Sequence, residues 1–156
     1  AQERAAASAA AGAAKVRLDL DADLARGGSE IRLSDAQHEL IDTAIDFPSA
    51  LGIERQTPAT ARIDKDWFAA AVLKATDGGA DDREGRLPVL VTTRYMVGDS
   101  PREGRGIVEI VWRTHGRLVG GRSLTIEAVR VREQKGDRKR IDALWSAEMR
   151  RQSARA

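Results

Sequence analysis

No cysteine occurs anywhere in the chain. That excludes disulfides and thiolate metal sites and leaves the redox compartment open. Aromatic residues make up only 4%, so any core has to be built chiefly from Ala, Val, Leu and Ile. No stretch approaches the ~18 consecutive apolar residues of a membrane-spanning helix, so nothing in this chain is expected to cross a bilayer that way. Histidine is limited to His38 and His115. A Ser–His–Asp or Cys–His system needs a His beside a nucleophile and an orienting acid. Here His38 lies next to Glu39 and Asp42, and His115 falls in a turn beside Gly116. The G-x-S-x-G, Walker, H-E-x-x-H and dinucleotide fingerprints are absent. No cofactor, metal site or catalytic group is therefore expected.

Charge is plentiful, at 32% of residues, and it is unevenly placed. From Asp19 to Glu84 there are 15 acidic and 7 basic residues; from Gly85 to Ala156 there are 8 acidic and 16 basic. Halves of opposite sign either complement each other within one fold or mark an interaction surface. At 156 residues the chain is long enough for one domain with a real core. Residues 1–14 are Ala-rich with one Gly and lack bulky anchors, which predicts a tether or frayed helix ahead of a single domain over 15–156. The start Ala1-Gln2-Glu3 has no Met, as a chain trimmed of a signal peptide would. Arg outnumbers Lys by 21 to 5, a bias of GC-rich bacterial genomes. Together these suggest an exported bacterial chain, periplasmic or envelope-associated, or cytoplasmic if that end is unprocessed.

Hydrophobic periodicity supplies the fold class. Val16, Leu18, Leu20, Ala22 and Leu24 alternate with Arg17, Asp19, Asp21 and Asp23, which predicts a strand over 15–24. The aspartates do not make an EF-hand, because the sixth position from Asp19 is Leu24 and not Gly. Ser34-Asp35-Ala36-Gln37 reads as a capping box. With Ala36, Leu40, Ile41, Ala44 and Ile45 as its stripe, it predicts a helix over 35–46 that stops before Pro48. Asp64 can cap a helix over 65–76, with Trp67, Phe68, Ala71, Val72 and Ala75 on one face. Strands follow over 87–97, 107–114 and 122–132, with a loop at 99–105 and a Gly120-Gly121 break. A last helix over 138–152 places Ile141, Leu144, Trp145 and Met149 on one stripe. The expected fold is α+β, an antiparallel sheet of about four strands with helices mainly on one face.

Two sets of residues stand out as sites. Arg138, Lys139 and Arg140 open the last helix, where cations oppose the helix dipole, and so invite an anionic partner; Glu133 and Asp137 are close enough in sequence to serve. Trp67, Tyr95 and Trp112 could line a pocket beneath the sheet, although an aromatic pair on a helix is more often core.

From Lys65 onward the order helix, three strands, helix resembles the double-stranded-RNA-binding domain. That family's last helix opens with a basic cluster that meets phosphates across a groove. Arg138, Lys139 and Arg140 stand where it would be. The resemblance covers only the second half of the chain. The stretch 99–105 and the lack of a Gly-Pro-x-His loop between the first two strands depart from the pattern.

The leading expectation is a non-catalytic binding or assembly module of the bacterial cell envelope with a protein partner. Nucleic-acid binding through the basic half is the alternative. A cone-shaped sheet around a small-molecule or catalytic cavity comes third.

Overall fold

The computed structural model describes Arg4 and residues 16–155. The predicted tether over 1–14 thus lies, apart from Arg4, outside the described residues. Over residues 16–155 seven strands and two α-helices follow in order, with three short 3-10 turns among them: β1 (Asp21–Ala25), β2 (Glu30–Ser34), β3 (Leu40–Asp46), β4 (Arg62–Asp64), α1 (Ala69–Ala75), β5 (Arg83–Val97), β6 (Ser100–Gly116), β7 (Arg122–Glu133) and α2 (Arg138–Arg155). The class is α+β with antiparallel pairing throughout. The strands form two sheets where one was expected, β1-β2-β4 and β3-β5-β6-β7.

The larger sheet is built on a long hairpin. β5 and β6 pair without a break from Arg83↔Thr114 to Val97↔Ser100. Gly98, at φ +60, opens the two-residue turn between them, a position that needs positive φ. The expected loop over 99–105 is therefore strand from Ser100 onward. Its glycines do not break the ladder; they thin its inner face. A Cβ on Gly104 would stand 2.8 Å from the Leu18 side chain, and one on Gly106 would stand 2.9 Å from Leu20. The chain before β1 crosses the sheet over these two positions. Gln134 holds it there as a neighbouring strand would, accepting from the Leu20 N–H and donating to the Leu20 carbonyl, both at 2.9 Å. Within its described residues, the expected strand over 15–24 is thus first a crossing segment with Leu18 and Leu20 buried and Arg17 and Asp19 exposed, and ladder only from Asp21.

The helix expected over 35–46 is not formed. Asp35 is the reason at one end. Its Oδ1 accepts the Gln37 N–H at 2.8 Å, closing a tight turn that ends in an isolated bridge to His38. This local side-chain bond competes with helix initiation. Beyond it, Ile41, Thr43, Ile45 and Phe47 also recur at period two, and three of them are β-branched, which favours a strand. β3 pairs with β5, bulged between Ile41 and Ala44, with Asp42 at φ +50. Thr43 meets Thr93 across the pair, hydroxyl to hydroxyl at 2.9 Å. Gln56 exchanges both backbone bonds with Ile45 and covers the free edge of β3.

The two sheets face each other across one core. Leu20, Ile31, Leu33 and Ile63 come from the smaller sheet and its lead-in; Ile45, Val89, Val91, Val108, Ile110 and Trp112 come from the larger. The helix expected over 65–76 begins as a single 3-10 turn at Lys65–Trp67, capped by Asp64, before α1. Phe68 and Val72 enter the same core. The C-terminal end of α1 is held by Arg122, whose guanidinium donates to the Leu73 carbonyl at 2.6 Å.

The opposite face of the larger sheet carries α2. Leu90 and Ile107 are directly paired across β5 and β6, and they form a second small core with Ile141 and Leu144. Trp145, one residue on, belongs to the main core and is 3% exposed. It reaches that core past the end of β3, whose pairing stops at Leu90. Pro88, which has no N–H for a ladder, falls in the part of β5 that β3 does not reach. The helices therefore lie on opposite faces of this sheet, where one face was expected. The α-β-β-β-α order of the second half is present as an order of elements.

Candidate functional site

Three of the buried carboxylates, Asp46, Asp35 and Glu109, organise the polar chemistry, and each is set by tertiary contacts. Asp46, at the end of β3, is 1% exposed. Arg55 grips it with two parallel bonds of 2.9 and 2.8 Å, and Arg138 adds a third at 2.8 Å. The hydrogen bond and then the charge of Asp46 raise the Arg55 pKa further above its ordinary value.

Asp35 follows β2 in the link to β3 and is buried there. It accepts from the Asp19 N–H at 2.8 Å, from the Gln37 N–H at 2.8 Å, and pairs with His38 Nδ1 at 2.9 Å. Burial pushes its pKa up. The Asp19 bond, the His38 bond, the Gln37 bond and the His38 charge outweigh burial, and the carboxyl is held below its usual range. The His38 ring lies 4.8 Å from that of Tyr95, whose hydroxyl donates to the Val16 carbonyl at 2.8 Å.

Glu109 is the third. It lies on the outer face of β6, is 3% exposed, and has its strand neighbours Ile107, Val108, Ile110 and Val111 buried around it. Arg130 donates to its Oε2, Arg132 donates to its Oε1 at 2.9 Å, and Arg86 stands at 3.8 Å. Burial raises the carboxyl pKa; the Arg130 and Arg132 hydrogen bonds, then the Arg130 and Arg86 charges, outweigh it and bring it below the usual range. A cleft of about 180 Å³ opens beside it between the sheet and α2.

The residues singled out from sequence fall as follows. Arg138 is held by Asp46, and Arg140 donates to both carboxylate oxygens of Glu133, at 3.3 and 3.1 Å. Asp137 caps α2 by accepting the Arg140 N–H at 2.8 Å. Lys139 is exposed and makes no ion pair with another described residue. Trp112 is fully buried, its indole lying over Gly85 on the paired strand. Trp67 is half-buried with the Arg62 guanidinium 5.4 Å from its ring centroid. Tyr95 faces a surface groove of about 520 Å³ that also includes Gly104, Arg105 and Gln134. The three rings do not meet around a shared cavity; they belong to, or pack against, the main core.

Sequence reasoning missed the Asp46 and Glu109 clusters. Asp46 and Arg138 are too far apart along the chain to suggest each other. Glu109 carried a readable signal: one charge inside an apolar run, with Arg130 and Arg132 at period two on the next strand. Among the described residues, no three His, Asp or Glu side chains are grouped as metal ligands would be. In comparisons with known proteins, no protein-family model, curated protein or solved structure is significantly similar to this chain.

Proposed function

We propose that the chain is a non-catalytic binding or assembly module that meets a protein partner through the tip of its β6–β7 hairpin. One observation carries this reading. Leu118 and Val119, at the tip, are 107% and 87% exposed, whereas the other exposed large apolar residues reach only 38–39%. The loop that presents them is closed by the Arg117 N–H donating to the Gly121 carbonyl at 2.8 Å. Paired apolar side chains held in water gain nothing within this fold and gain burial against a partner.

The buried acids Asp35 and Glu109 do not serve as general acids. Asp35 and Glu109 are held below the usual carboxylate range, whereas a general acid at neutral pH needs its pKa raised. The cavity alternative has less in its favour because Trp112, Phe68 and Ile110 fill the space between the sheets. The nucleic-acid alternative has less because Arg138 and Arg140 already hold acids of this chain.

A photo-crosslinking side chain at position 118, in cells producing the full gene product, tests the reading. The expected result is one adduct of defined mass from position 118 and none from the exposed position 66. The partner so identified, once purified, should bind the Leu118→Ser/Val119→Ser variant about ten-fold or more weakly. No adduct at 118, or equal affinity for the variant, overturns it. Placement in the bacterial envelope is a separate proposal resting on composition, and recovery of the full gene product in the cytoplasmic fraction would end it.

A further inference from the structure

The Glu109 cluster has more cations than its buried charge requires. One hydrogen-bonded guanidinium can neutralise a buried carboxylate, and Glu109 has two, from Arg130 and Arg132. Arg86 is a third, at 3.8 Å from Oε2, which is an ion-pair distance and too long for a hydrogen bond. Its side chain makes no hydrogen bond with another described residue, so its five N–H donors are uncommitted. Across the cleft Arg151 chelates Glu148, which also accepts from Gln152 at 2.7 Å. Arg86, Arg132 and Arg151 with Glu109 and Glu148 therefore line a cleft of about 180 Å³, an excess of one positive charge, with Arg130 behind Glu109 and Glu133 3.9 Å from Arg132. The cleft volume is about six times the ~30 Å³ share of a liquid water, room for a phosphoryl group of five heavy atoms. Pro88, Leu144 and Ala147 form the rest of the lining and offer an apolar wall next to the cations.

We propose that the cleft between α2 and the outer face of β5–β6 binds a phosphate monoester, its phosphoryl oxygens on Arg86 and Arg132 and its apolar substituent against Pro88, Leu144 and Ala147. The donors select this class. The Arg86 fork beside Arg132 can serve the three terminal oxygens of a phosphoryl group, whereas a carboxylate offers two. Glu109 and Glu148 act as positioning residues that fix Arg132 and Arg151 at the mouth. Binding here is independent of the hairpin tip and stands or falls separately from the partner reading.

Calorimetric titration of the whole protein with phenyl phosphate, inorganic phosphate and benzoate at equal ionic strength tests the proposal. Saturable binding at millimolar concentration, in the order phenyl phosphate, inorganic phosphate, benzoate, is expected. Arg86→Ala should weaken phenyl phosphate about ten-fold, while Arg117→Ala at the hairpin tip should leave it unchanged. Circular dichroism confirms that each variant is folded. As a readout that does not rely on a substitution, the arginine side-chain N–H resonances of Arg86 and Arg132 should shift on titration while that of Arg117 stays. Three results overturn the proposal: no saturation by phenyl phosphate, benzoate binding as tightly as phenyl phosphate, or a folded Arg86→Ala variant of unchanged affinity. A duplex or single-stranded oligonucleotide that binds more tightly than phenyl phosphate, with steep salt dependence, would also overturn it in favour of a nucleic-acid surface.

Discussion

Arg138 and Asp46 lie 92 residues apart in the chain and meet at 2.8 Å, joining the first turn of α2 to the end of β3. A cation at that helix position opposes the macrodipole, and the buried carboxylate offsets the penalty. Arg55 shares the same carboxylate through two bonds. Removing Asp46 leaves both guanidinium groups without their acceptor, whereas removing Arg138 leaves Asp46 still chelated. The side chains of Arg55 and Arg138 are 56% and 50% exposed, so water can take over part of their solvation. Asp46→Ala should therefore lower unfolding stability by about 1–3 kcal/mol and Arg138→Ala by less. Urea denaturation midpoints measure both. If Arg138→Ala is the more damaging of the two, the chelate with Arg55 is not what holds Asp46.

Acid should loosen the protein through Asp35 and Glu109. Both carboxyls are held below their ordinary values in the folded chain. The unfolded chain therefore binds protons first as pH falls. Their contribution is fully present above the unfolded values, roughly 3.9 for Asp and 4.3 for Glu, and is lost as pH drops through the lower folded values. Stability should be flat in this respect near neutrality and fall below about pH 5. Glu109→Gln should flatten the acid limb. A series of urea midpoints across that window decides it, and a variant with the same acid slope as the parent would remove Glu109 from the account.

Which parts of this architecture could be read in advance follows from how local their causes are. β5, β7 and α2 each carry a clear period and a local stop signal and form close to where that pattern places them, whereas β6 begins at Ser100, seven residues before the expected strand, because the glycines ahead of Ile107 read as a loop. The segment Leu40–Asp46 satisfies two periods at once. Ala36, Leu40, Ile41, Ala44 and Ile45 fit a helix, while Ile41, Thr43 and Ile45 fit a strand, and only the open edge of β5 chooses between them. Ser34 and Asp35 posed the same kind of ambiguity, since an N-cap and a side-chain-closed turn use the same residue types. The basic start of α2 did raise the right question about an anionic partner. Two of its answers are Asp46 and Glu133 of the same chain, and the first of these requires knowing that β3 is a strand.

The separate small core under α2 should be needed for stability, and the hairpin tip should not. Ile141 is fully buried against Leu90 and Ile107. Ile141→Ala should cost about 2–5 kcal/mol, while Leu118→Ser should change stability by no more than about 0.5 kcal/mol. Chemical denaturation separates the two. A large loss from Leu118→Ser would mean that the tip packs within its own fold, and its role as a docking element would go with it.

Gly85 gives the sharpest steric test. It has no positive φ, and alanine would suit an extended strand at least as well by propensity alone. The obstacle is Trp112, its direct partner across the ladder. A Cβ at position 85 would lie 2.2 Å from the indole, which is fully buried and cannot swing into solvent. Trp112 must then leave its rotamer or push β5 and β6 apart, and overpacking of this kind costs about 1–3 kcal/mol. Gly85→Ala should lower the unfolding midpoint accordingly and shift tryptophan emission to the red as water gains access. Trp112→Phe in the same background should recover part of the loss, because the smaller ring vacates the space the new methyl needs. An alanine variant as stable as the parent, with unchanged emission, would mean that the Trp112 ring does not lie over Gly85.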